Sequence, residues 1–180
     1  MPRVDDLKIE AMTPAQQAIH ARIAGTRGGT VRGPFAVWMR NPAIAEAADK
    51  LGTTLRQGSL DKRLFEVMVL VVARHWSAQY EWFAHARHAL EEGVSPDVVE
   101  AIRHRRKPAF TRDDERLIYD LVTEMNETRT LSQPTYDCAV AALGLDLVIE
   151  LITALGFYTM VAIMLNGFDA PVPGGERPLP

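Results

Sequence analysis

Apolar residues recur along this chain at three- and four-residue intervals rather than in strict alternation, a pattern that predicts helices throughout. The expected helices fall at about 14–25, 42–57, 61–75, 78–92, 96–105, 112–128, 133–142 and 145–166. Thr13-Pro14, Asn41-Pro42 and Ser95-Pro96 each offer a side-chain acceptor at the cap and proline at the first helical position. Thr111, followed by Asp113, Asp114 and Glu115, supplies a cap and negative charge for a first turn, and Ser132 with Pro134 is a weaker start. Gly58, Gly93, Gly144 and Gly167 sit where helices are expected to stop. No strand is expected. The class is all-α, a bundle of about seven or eight helices read as one domain over residues 1–180. Residues 1–29 form an N-terminal helix and loop, and 171–180, with four prolines, an extended tail.

Two segments break the usual half-apolar, half-polar face. From Leu64 to Ala73 the chain is apolar except for Glu66. From Leu145 to Asn166 it is apolar on nearly every side, so that helix needs cover from its own subunit or from a neighbour as well. Gly156 within it suggests close approach of another backbone. Between the first two helices, residues 25–40 read as a loop with Gly25, Gly28, Gly29, Gly33 and Pro34, closed by Phe35, Val37 and Trp38. No GxxxxGK[ST] signature is present, which leaves a flexible connection with an aromatic anchor, or a pocket wall or subunit contact made by Phe35 and Trp38.

Charge and composition narrow the classes without choosing a function. A formal net charge of −3 argues against a nucleic-acid or anionic-lipid footprint, and the basic run from Arg103 to Lys107 reads as a solvated helix end. The single cysteine, Cys138, excludes an internal disulfide or a CxxC pair and is expected to be a packed thiol. The N-terminus lacks an apolar signal core, and the runs Val67–Ala73 and Thr159–Leu165 are too short to span a bilayer. A soluble cytoplasmic protein is expected.

The candidate chemistry lies between Leu60 and Gly93, read as two helices with a break near Trp76-Ser77. A carboxylate in a greasy helix must be paired, protonated or facing a cavity, so Glu66 is either bridged to an arginine such as Arg63 or Arg74, or handles protons. Glu81 and His85, four apart, share a helical face and are either a surface pair or an acid–base pair. Trp76, Tyr80, Trp82 and Phe83 around them imply burial. Glu81, His85 and His88 lack HExxH or paired ExxH spacing, so no metal is expected.

The stretch RLFEVMVLVVARHWSAQYEWFAHARHALEEGVSPDVVEAI resembles the carboxymuconolactone decarboxylase family, whose fold is shared with alkylhydroperoxidase D (AhpD). Similarity continues upstream in GPFAVWMRNPAIAEAADKLGTTLRQGSL and downstream to about residue 173. The peroxidase branch places a glutamate, a CxxC and a histidine in order, and these positions fall on Glu66, on Ala78 and Glu81, and on His85. Both thiols are missing, so thiol peroxidase activity is not expected. The resemblance implies a cofactor-independent decarboxylase or lyase, or a related hydrolase or isomerase, acting on a small carboxylated lactone or aromatic-catabolism intermediate. In the scheme the resemblance implies, His85 delivers or removes the proton, Glu81 orients the imidazole and tunes its pKa, and Glu66 relays protons or sets local charge. Tyr80, Trp82 and Trp38 are candidate walls, and Arg74 a candidate carboxylate binder. It also implies a trimer or hexamer. The alternative is a non-catalytic or small-molecule-binding oligomer with a buried Glu/His network.

Overall fold

The computed structural model describes residues 2–26 and 29–180, so Gly28 of the glycine-rich loop lies outside the described residues. Among these are nine α-helices and no strand: α1 (Pro14–Thr26), α2 (Pro34–Trp38), α3 (Pro42–Arg56), α4 (Lys62–His75), α5 (Gln79–Glu91), α6 (Pro96–Arg103), α7 (Asp113–Thr128), α8 (Gln133–Leu143) and α9 (Leu145–Gly167). Eight of them match the expected helices to within two residues at each end. The ninth, α2, lies in the segment expected to be loop. Gly33 at φ 61° turns the chain into it, Pro34 takes the first position, and Phe35, Val37 and Trp38 are buried. Five residues are too few to show helical periodicity, so burial rather than pattern makes this turn.

The capping expectations hold only in part. Thr13 and Gln16 form a reciprocal box, and Asn41 accepts from Ile44 N–H. Ser95 and Ser132 occupy N-cap positions without capping through their side chains, and Arg112 rather than Thr111 precedes α7. Asp61, an unexpected cap, accepts from Arg63 and Leu64 at the start of α4.

The bundle is built around α4, which packs against α5, α6, α7 and α9. Every residue from Leu64 to Arg74 is buried, as expected for a helix that is apolar all round. At its far end Ser77 takes φ 50°, and the chain reverses into α5. Arg63 pins α4 to α7 through Asp114 and Glu115, each at 2.7 Å, and Glu115 is itself buried.

Gly58 is needed for space rather than for backbone angle. Glu150 of α9 reaches over it to accept from Ser59 N–H and Leu60 N–H, both at 3.0 Å. A Cβ at position 58 would lie 2.1 Å from the Glu150 carboxylate. Removing that acceptor strands the Leu60 amide near a buried side chain. Glu150→Ala is therefore expected to cost about 1–3 kcal/mol in a urea unfolding titration, with activity per folded molecule retained.

Three expectations need correction. Cys138 is exposed on α8, because its helix contributes only Ala139 as a buried residue. A Cβ at Gly156 would meet nothing within 4 Å among the described residues, so any backbone close to it is not one of this chain's own described segments, and it sits on the open face of α9. The tail is not simply extended: Pro173–Gly175 form a 3-10 turn, and Leu179 is buried and exchanges two hydrogen bonds with the Gln79 side chain. By length and composition alone, α9 (23 residues, mean hydropathy 2.0) is able to cross a bilayer, a property that the two shorter apolar runs did not reveal. Here one side of α9 packs on α2, α3, α4, α5 and α8.

Candidate functional site

Reversal of the chain at Ser77 lays α5 along α4, so residues far apart in sequence come level. Glu66 on α4 and His85 on α5 meet there: Nδ1–H of His85 donates to Glu66 Oε2 at 2.8 Å. Both side chains are largely buried, at 11% and 17% exposure. Neither Arg63 nor Arg74 pairs with Glu66, since Arg63 is taken by α7 and Arg74 donates to Ser77. With Nδ1 engaged, Nε2 is the ring atom left to exchange a proton.

Glu81 lies one turn before His85 but does not orient it. Its residue is 1% exposed, and neither carboxylate oxygen has a hydrogen-bond partner among the described residues. Burial without a partner pushes its pKa well above the usual glutamate range, which favours the protonated form. The role expected of Glu81, holding the imidazole, belongs to Glu66, because the interhelical approach brings that carboxylate to Nδ1.

Two hollows meet at His85. The inner one, about 160 Å³, is lined by Glu81, His85, Tyr80, Arg32, Arg56, Phe35, Phe157 and Tyr158, among others. The outer one, about 350 Å³, has Glu66, His85, His88, Lys62, Arg56 and Tyr158 in its wall. Tyr158 stands edge-on to His85 with ring centres 5.1 Å apart at 90°. Burial, with the nearby charge of Glu66 adding to it, raises the pKa of its phenol against the pull of Arg56. A donor held neutral, an imidazole in a carboxylate's grip and a guanidinium opening onto both hollows are the parts for moving a proton at an anionic substrate.

Of the residues expected from sequence, Glu66, Glu81, His85 and Tyr80 come together here. Gly33 permits the Tyr80 position, since a Cβ there would lie 2.5 Å from the ring. Trp38 and Trp82 line neither hollow. Trp38 is buried behind Phe35, edge-on at 5.1 Å, and Trp82 is 3% exposed in the core. Arg74 is also elsewhere, because the C-terminal end of α4 carries it to a separate hollow. Arg56, Arg32 and Tyr158 were missed. For Tyr158 the signal was available, a hydroxyl within the apolar run of α9, as Glu66 was a carboxylate within α4. No local pattern points to Arg56, the last residue of α3.

Residues 42–112, which span α3 to α6 and include Glu66, Glu81 and His85, match the model of the carboxymuconolactone decarboxylase family. Over this segment the chain is similar to that family. The sequence matches no curated protein. Among solved structures, the fold is similar to an alkylhydroperoxidase AhpD core, a peroxidase-related protein from Ralstonia eutropha JMP134. The TM-score is 0.78 at 13% identity, over 96% of this chain and 93% of that one. A peroxidase-related protein from Silicibacter sp. TM1040 superposes with a TM-score of 0.77 at 17% identity, covering 99% and 95% of the two chains. The debrominase Bmp8 in complex with 2,3,4-tribromopyrrole gives 0.74 at 13% identity, over 98% and 92%. At these identities the likeness is one of fold, and the fold is AhpD-like.

Proposed function

We propose that this protein is a cofactor-independent acid–base enzyme of the carboxymuconolactone decarboxylase family. It acts as a lyase, or as a related hydrolase or isomerase, on a small carboxylated lactone or ring of the kind met in aromatic-compound catabolism. The single observation that carries this reading is the Glu66–His85 hydrogen bond at the meeting of two hollows, with buried, unpartnered Glu81 in the wall of the inner one. In the decarboxylase form, Arg56 and Arg32 hold the substrate anion. The carbon–carbon bond to the departing carboxylate breaks, and its electron pair stays on the unsaturated ring. Imidazolium His85, stabilised by Glu66, then delivers a proton to that carbon. Glu81 hydrogen-bonds the charge that develops on the ring oxygen. Tyr80 and Phe35 flank a planar substrate. The small planar ring bound to Bmp8 supports a ligand of that size in this fold. Disulfide-based peroxide reduction requires a pair of cysteines and the chain has one, so reduction of peroxides is outside this reading.

The test is a turnover screen of small carboxylated lactones and ring acids, followed by loss of absorbance and release of carbon dioxide. Turnover of at least one compound, abolished in Arg56→Gln, is expected. A panel that is neither bound nor converted would overturn the reading.

The protein also acts, in this reading, as a soluble cytoplasmic homo-oligomer, a trimer or hexamer. Leu145, Ile149, Met160 and Ile163 stand exposed along one side of α9, with Gly156 between them leaving room for a neighbouring backbone. The double change Ile149→Lys and Ile163→Lys is expected to reduce the mass measured by light scattering to that of one chain. An unchanged mass would exclude this face as the contact.

A further inference from the structure

A smaller hollow of about 120 Å³ opens at the C-terminal end of α4, between the end of α6 and α7. It shares no lining residue with the two hollows at His85. Its charged and amide wall is Arg74, His75, Arg105, Asn126 and Glu127, with the hydroxyls of Tyr119 and Thr123 beside them. Arg74 is 8% exposed, and its Nε–H has no acceptor. The buried Nδ2 of Asn126 likewise has none. Arg74 Nη1 and Arg105 Nη2 both donate to the one hydroxyl of Ser77, each at 3.1 Å. A further bond from Arg105 goes to the His75 carbonyl, and among the described residues neither guanidinium forms an ion pair with an acid.

Two like charges converging on a neutral oxygen repel each other, and buried donors without acceptors carry a desolvation cost. Burial, then Arg105, lowers the pKa of Arg74, and burial, then Arg105, lowers that of His75. Glu127 is the only acid on the wall and leaves this excess of donors uncompensated. Arg74 Nε–H and the Asn126 amide both lack an acceptor, and a negatively charged one would also offset the two guanidinium charges. We infer that this hollow binds a small oxyanion, a short carboxylate or inorganic phosphate, held between Arg74 and Arg105 with the Asn126 amide as a third donor. The space is enough for several waters or for such an ion. Occupancy ties α4, α6 and α7 to the Ser77 turn from which α5 departs. The inference is independent of the chemistry assigned to His85.

The test is thermal unfolding of the full chain in sodium phosphate, acetate and succinate, against chloride at matched pH and ionic strength. The His75 ring is followed by NMR in parallel. A saturable rise of several degrees with phosphate or with a carboxylate is expected, together with an upward shift of the His75 titration. Which salt acts identifies the source of the oxyanion. Arg105→Gln, at an exposed position, is expected to lose both responses. Asn126→Asp, which places a carboxylate inside the hollow, is expected to raise the melting temperature without added anion and to abolish the response. Salts indistinguishable from chloride in the wild type, or a response retained in both variants, would overturn the inference.

Discussion

His85→Asn is expected to lower kcat on any substrate found by about 10²–10⁴-fold, the range contributed by a positioned general acid or base. Asparagine is the informative choice because its side-chain amide reaches roughly where Nδ1 stands and is able to donate to Glu66 Oε2. The interhelical hydrogen bond, 2.8 Å in the wild type, then persists while the exchangeable ring is gone. Alanine at the same position would leave a buried carboxylate without its partner, at a cost of about 1–3 kcal/mol or more, and would mix a folding defect with a catalytic one. A circular dichroism melt within a few degrees of wild type, with turnover lost, is the outcome that supports proton transfer at His85. Unimpaired turnover in His85→Asn would remove the proposed mechanism and leave the Glu66–His85 pair as a structural tie.

Glu81→Gln is expected to change how stability depends on pH. The folded-state pKa of Glu81 is raised by burial, so the native state holds its proton where the unfolded chain has lost it. This contribution is fully present below the unfolded value of about 4.5 and declines as pH rises toward the folded value. Within that window the slope approaches 1.4 kcal/mol per pH unit. Glutamine has no proton to lose and removes the slope. Melting temperatures of the two proteins taken from pH 4 to 9 are expected to diverge progressively in favour of Glu81→Gln. Parallel curves would mean that Glu81 is ionised in the native state and is not a neutral donor. In the same variant, activity that depends on an acidic proton at position 81 is expected to fall, whereas a hydrogen bond to developing charge is partly retained by the amide.

Much of this arrangement was written locally in the chain. Glu66 was conspicuous because ten residues of α4 offer nothing else polar, and a carboxylate in such company demands an explanation. The four-residue step from Glu81 to His85 placed both on one side of α5. Yet that same step misled: sharing a helical face does not make two side chains partners, and the imidazole found its acid on α4, nineteen residues away. Arg74 was assigned to the site by its closeness in sequence, but the rotation of α4 over its last two turns carries it into another hollow. The tryptophans were conspicuous by size, and size is what sent Trp38 and Trp82 into the core rather than to a cavity wall.

Helix spacing, end signals and the apolar character of α4 and α9 were determined by the sequence alone, because each depends on neighbours within a turn or two. The class and eight of the nine helices follow from that. Which carboxylate holds the imidazole, which arginine faces the cavity, and the approach of Tyr158 to His85 were decided only by tertiary packing. These depend on the rotation of one helix against another, and the close-packed interior sets that rotation through contacts spread over the whole chain.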